Sequence, residues 1–168
     1  MKSRVQPRWI LLSILAVALA VCVVAAGVRT LHSFEKEKSA PQADALAVKM
    51  VRELGYSEAY TQVPAASVQK YYPVDADLLA GAGMWLAKGS DKAGELCCFQ
   101  LRRAADAPAV KKAVAERLSS KAQALRAVNV AQYRMVQNAV VVQQGQYVLV
   151  AVSADSTVEK ELFYKLLK

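Results

Sequence analysis

The sequence predicts an α+β fold: a two-layer domain with a mostly antiparallel sheet of two hairpins and helices on one face, held behind an N-terminal transmembrane helix. Three observations predict it. Residues 9–28 run for twenty positions without a charged side chain. Two pairs of extended apolar runs, 78–88 with 93–103 and 139–143 with 147–152, are each joined by a short polar connection containing glycine, the usual link between antiparallel neighbours. Amphipathic helical segments precede, separate and follow the pairs, an order that favours helices packed against an antiparallel sheet.

The first element is WILLSILAVALAVCVVAAGV, residues 9–28. At about 1.5 Å rise per residue it reaches roughly 30 Å, enough to cross the hydrocarbon core with every backbone group satisfied internally. Lys2, Arg4 and Arg8 precede it, whereas Arg29 is followed by the mixed run Glu35-Lys36-Glu37-Lys38. The positive-inside rule therefore puts residues 1–8 in the cytoplasm, makes 29–42 a juxtamembrane linker, and leaves 43–168 as an extracytoplasmic domain of a single-pass cell-membrane protein. Two other readings of the stretch remain open. Ala18-Leu19-Ala20 is similar to a signal-cleavage site, and Cys22 is a candidate for lipid attachment. Residues 21–28 are superfluous in a cleaved signal but needed to span, and all three readings deliver the rest of the chain to the same side.

Pro41 marks the start of the next helix, ADALAVKMVREL over 43–54. Leu46, Met50 and Leu54 recur every four residues with Ala43, Ala47 and Val51 beside them, and Gly55 closes the helix. Residues 56–63 are extended only near Val63. Pro64 opens a short helix over 65–71 that Pro73 stops. The first hairpin follows, LLAGAGMWLAK and AGELCCFQLRR around a Gly89-Ser90-Asp91-Lys92 loop, with Cys97, Phe99 and Leu101 on one face and Cys98, Gln100 and Arg102 on the other. Asp106 and Pro108 start the longest helix, 107–128, whose Val110, Val114, Leu118, Leu125 and Val128 form the stripe expected to cover the sheet. The second hairpin turns at Gln144-Gly145, and both its strands are apolar enough to be expected away from a wet edge. A last helix over 157–167 carries Leu162, Phe163 and Leu166 inward.

The formal charge of +8 overstates the basicity of the domain, because Lys2, Arg4, Arg8 and Arg29 supply half of it. From Glu35 onward 18 Lys and Arg face 14 Asp and Glu. That balance excludes a nucleic-acid footprint and favours anionic lipid headgroups or wall polymers. His32 is the single histidine and lies in the linker, so a catalytic triad and a multi-histidine metal site are excluded by inventory, and no cofactor is implied.

Five constellations remain. Cys97-Cys98 lacks the two-residue spacing of a redox or zinc pair and is expected to be core packing. Asp75 and Asp77 have the chemistry of a cation ligand but no third carboxylate, so a turn or cap is expected. Gly81-Ala82-Gly83 lacks the rest of a phosphate loop and is expected to mark a bulge or a close backbone approach. Tyr56, Tyr60, Tyr71 and Tyr72, with Trp85, are aromatics able to stack on sugar rings but more often buried. The basic residues of the long helix, Lys111, Lys112, Arg117 and Lys121, are the candidate binding residues for an anionic surface.

The run NAVVVQQGQYVLVAVSAD at 138–155, preceded by the Lys-rich helix and the Tyr-rich segment, resembles an uncharacterised domain-of-unknown-function family of Gram-positive bacteria. The resemblance extends over about 43–167. It implies an outward-facing, membrane-anchored or lipidated protein and no activity, since its sharpest feature, the hairpin, is structural. In lipidated members a small residue precedes the cysteine, and Val21 departs from that pattern. The expected function is a non-enzymatic binding or interaction module of the cell envelope, whose partner is an envelope protein or an anionic wall polymer. The alternative is a small thiol-dependent enzyme or redox factor using Cys97 or Cys98.

Overall fold

Helix α1, Ala43–Glu53, ends where Gly55 takes φ +72. The Tyr56 N–H bonds Val51 O at 2.9 Å and the Gly55 N–H bonds Arg52 O at 3.1 Å, the paired bonds of a Schellman cap. A computed structural model describes residues 41–168, which form a unit with its own core. The expected span at 9–28, its flank at 1–8 and nearly all of the 29–42 linker lie outside the described residues. Among the described residues no helix is long and apolar enough to cross a membrane.

Beyond α1 the chain forms β1 (Tyr60–Val63), 3₁₀ turns at Ala65–Lys70 and Ala76–Leu78, β2 (Leu79–Ala87), β3 (Glu95–Leu101) and a 3₁₀ turn at Ala104–Asp106. It continues with α2 (Ala107–Leu125), α3 (Val130–Gln137), β4 (Val140–Gln144), β5 (Tyr147–Val152) and α4 (Ser156–Leu166). The fold is α+β, with a five-stranded sheet in the order β1-β2-β3-β5-β4 and every neighbouring pair antiparallel. Both expected hairpins form. Cys97 pairs with Val150 across β3 and β5, and Val142 pairs with Leu149 across β4 and β5.

The expectation of helices on one face is corrected, because helices cover both. Cys97, Phe99, Leu101, Val148 and Val150 pack with Val110 and Val114 of α2. Leu96, Cys98, Leu149 and Ala151 pack on the opposite face with Leu46 and Met50 of α1 and Phe163 of α4. Strand β5 is buried at every position and β3 at all but Gln100. A strand buried on both faces reads as a continuous apolar run, not an alternation. Cys98, expected on a polar face with Gln100 and Arg102, is fully buried; a thiol is small and apolar enough for either face.

Three smaller corrections follow. Strand β4 is an edge strand despite its valines, half-buried at all five positions. The second turn lies one residue later than expected, at Gly145-Gln146: Gly145 has φ +56 and Gln146 does not share the positive φ, as a II′ hairpin loop requires. The long helix stops at Leu125, because the Asn129 side chain accepts the Gln132 N–H and begins α3.

The glycine expectation holds. A Cβ on Gly83 would lie 2.7 Å from Asp44 Cα and 2.8 Å from Ala43 O, so α1 rests directly on β2 there. The register of β2 against β3 shifts between Leu79 and Gly81.

Candidate functional site

Glu95 opens β3, and the strand alternation points its side chain to the face that α2 covers, beside Cys97. It is 1% exposed. A buried carboxylate is tolerated only when paired and hydrogen-bonded, and α2 supplies the partners at helical spacing. Arg117 grips it bidentately, Nε to Oε1 at 2.9 Å and Nη2 to Oε2 at 2.8 Å. One turn on, Lys121 Nζ donates to Oε2 at 2.7 Å and to the Ala93 carbonyl at 2.7 Å. The Tyr72 hydroxyl donates to Oε1 from below. The Arg117 guanidinium also lies over two rings, 4.9 Å from the centre of Tyr71 and 5.0 Å from that of Tyr72, adding cation–π attraction.

The electrostatics follow from this packing. Burial alone raises the Glu95 pKa, but the Arg117 hydrogen bonds and the Lys121 and Arg117 charges overcome it and hold the carboxyl below its ordinary range. Burial, reinforced by the Glu95 charge, keeps the Tyr72 hydroxyl protonated far above its usual range. The cluster is one anion fixed by two cations and a neutral donor. Arg117, Lys121 and Tyr72 each donate a hydrogen bond to Glu95.

A second buried carboxylate lies across the sheet. Glu159 of α4 is 1% exposed and accepts the Tyr56 hydroxyl on Oε1 at 2.8 Å, while its Oε2 has no protein partner among the described residues. Tyr56 stacks on Tyr60 with centroids 4.7 Å apart. Burial, then the Glu159 and Glu95 charges, pushes the Tyr60 pKa up to about 12. A shallow cavity of about 240 Å³ opens over this pair, lined by Tyr56, Tyr60, Lys92, Gln132, Met135 and Ser153 among others.

The four candidate binding residues are divided by this arrangement. Arg117 and Lys121 face inward onto Glu95. Lys111 donates to Gln143 Oε1 at 3.1 Å, and Lys112 is exposed. Both thiols are fully buried, on opposite faces of β3, and burial raises the pKa of each. The Cys98 thiol lies 3.8 Å from the Met50 sulfur. Asp75 caps its own turn by accepting the Asp77 N–H at 2.9 Å. Of the aromatics, Tyr72 is fully buried and Tyr60 nearly so. Glu95 and Glu159 escaped the sequence reading. The available signal for Glu95 was a lone carboxylate starting an apolar strand, with two cations four residues apart on the helix that covers it.

A family model described as Domain of unknown function (DUF4358) matches residues 53–153. The match takes in all five strands, α2 and α3, and leaves out most of α1 and all of α4. No curated protein and no solved structure matches the chain.

Proposed function

We propose a function from geometry and sequence, because the chain belongs to the DUF4358 family, whose description assigns none: it is a membrane-tethered, outward-facing interaction module of the cell envelope that works by binding and not by catalysis. The observation that carries this reading is the closure of the Glu95 cluster. Its carboxylate, guanidinium, ammonium and phenol satisfy one another behind α2 and leave no base, acid or nucleophile for a substrate. The tether rests on residues 9–28, and the outward orientation on the charge asymmetry around them. Membership of Gram-positive envelopes is part of the same proposal. The partner is an envelope protein or an anionic polymer, and Lys112 with Lys111 is the part of the basic set still directed at the surface or its margin.

Intact protoplasts treated with protease test the arrangement. The proposal expects the 41–168 domain to be digested and an N-terminal tag to survive. A protected domain, a mature chain beginning near Val21, or a lipid on Cys22 overturns the uncleaved anchor. The thiol-dependent alternative requires a thiolate that solvent can reach. Alkylation of Cys97 and Cys98 in the folded protein is expected only after denaturation, and rapid labelling of either revives that alternative.

A further inference from the structure

Helix α2 hands over to α3 through Arg126-Ala127-Val128-Asn129, and the Asn129 cap fixes the corner. The Val128 N–H bonds Leu125 O at 3.1 Å and the Asn129 N–H bonds the same carbonyl at 2.8 Å, so the last turn is tight. Leu125 and Tyr133 turn into the small core formed with Ala122, Val136 and Val152. The valines on either side of the cap turn out, Val128 being 82% and Val130 56% exposed. Two aliphatics are thus bare within three residues of one corner.

The flanking sequence carries charge of one sign. From Arg117 to Ala154 the sequence contains no Asp or Glu. Arg126 and Arg134 flank the corner, both exposed and neither in an ion pair among the described residues. We propose that the α2–α3 corner docks onto an anionic lipid bilayer, with Val128 and Val130 entering the acyl boundary and Arg126 and Arg134 meeting the headgroups. The inference deepens the envelope-module reading and rests on it for the presence of a membrane beside the domain.

The observations select lipid over the other occupants. A wall polymer offers anions to the arginines but nothing apolar to the valines. A protein interface is centred on aromatic anchors in a packed pocket, whereas the one aromatic residue of α3, Tyr133, packs into the small core. Bilayers reward scattered aliphatics ringed by basic residues, because apolar area and headgroup attraction add.

The test uses residues 41–168, which close their own core, in flotation with vesicles of phosphatidylcholine alone and of phosphatidylcholine mixed with phosphatidylglycerol. Binding is expected only to the anionic vesicles and is expected to collapse between about 0.1 M and about 1 M salt. Val128→Ser with Val130→Ser should weaken it roughly tenfold. Arg126→Gln with Arg134→Gln should weaken it roughly twentyfold. Val158→Ser is the control: Val158 is 50% exposed but sits between Asp155 and Glu161, and its replacement should change nothing. The substituted positions are exposed, so melting should be unaltered. The wild-type comparison of vesicles and salt stands without any variant. Absence of binding, equal binding to neutral vesicles, or a valine pair without effect overturns the proposal, as does binding to purified wall and not to vesicles. Such a failure leaves the protoplast result untouched, so the two readings fall separately.

Discussion

Two carboxylates of almost equal burial sit on opposite faces of one sheet, and the protein treats them differently. Glu95 has a bidentate arginine, a lysine and a phenol. Glu159 has one phenol and an oxygen with no protein partner among the described residues. Both sit near the end of the sheet where β5 finishes, but α2 presents cations to its face whereas α4 presents Glu159 toward tyrosines. Burial alone therefore does not say what a charge is doing. Glu95 ties β3 to α2, and removing it leaves the partly buried Arg117 and Lys121 without their anion. Glu159 makes a single side-chain hydrogen bond among the described residues, so fewer groups depend on it.

That contrast can be broken in order of expected effect. Val150→Asp places a carboxylate on the α2 face of β5 without any of Glu95's partners, at a position with no exposure; the 41–168 domain should fail to fold, and near-normal melting would mean that the α2 face tolerates unpaired charge. Arg117→Met leaves Glu95 only Lys121 and Tyr72 and should cost about 2–3 kcal/mol in denaturant unfolding. Replacing Glu95, Arg117, Lys121 and Tyr72 together by Leu, Met, Met and Phe should recover most of that loss, since a packed apolar substitute is often as stable as the ion cluster. Glu159→Gln keeps an acceptor for Tyr56 and should change stability by no more than about 1 kcal/mol.

Acid titration separates the two faces further. The folded pKa of Glu95 lies below its unfolded value, so its contribution is present above about 4.3 and is lost as pH falls through the folded value. The stability gap between wild type and Glu95→Gln, measured by denaturant unfolding from neutral pH downward, should shrink across that window. Tyr72 has the opposite sign. Its folded pKa is raised, so its contribution is full below about 10 and declines as pH rises beyond it.

Much of the architecture was legible from local pattern. The β-branched density of 140–152 and the Gly145 turn declared the second hairpin, and Leu46, Met50 and Gly55 declared α1 with its stop. Whether the sheet is covered once or twice was not legible, because Cys98 and the small residues Gly83 and Ala43 do not announce a buried face by hydropathy. Helix α3 was missed because VAQYRMVQ buries only Val136. The Glu95 cluster was illegible for another reason: Tyr72, Arg117 and Lys121 lie 22 to 26 residues from Glu95 in sequence. Arg117 and Lys121 consequently resembled a free basic face when they are the lining of a carboxylate site. Only Lys112 of the four candidates has the full exposure that the basic-face reading gave to all.

The central claim is that the convergent charges of this domain form a closed cluster on which the fold depends. A double-mutant cycle on Glu95→Gln and Arg117→Met, followed by denaturant unfolding of residues 41–168, tests it most directly. The account predicts a coupling of about 2 kcal/mol or more, with the double variant no less stable than the worse single variant. Simple additivity, or single variants of wild-type stability, would mean that Glu95 and Arg117 do not depend on each other for folding and would contradict it.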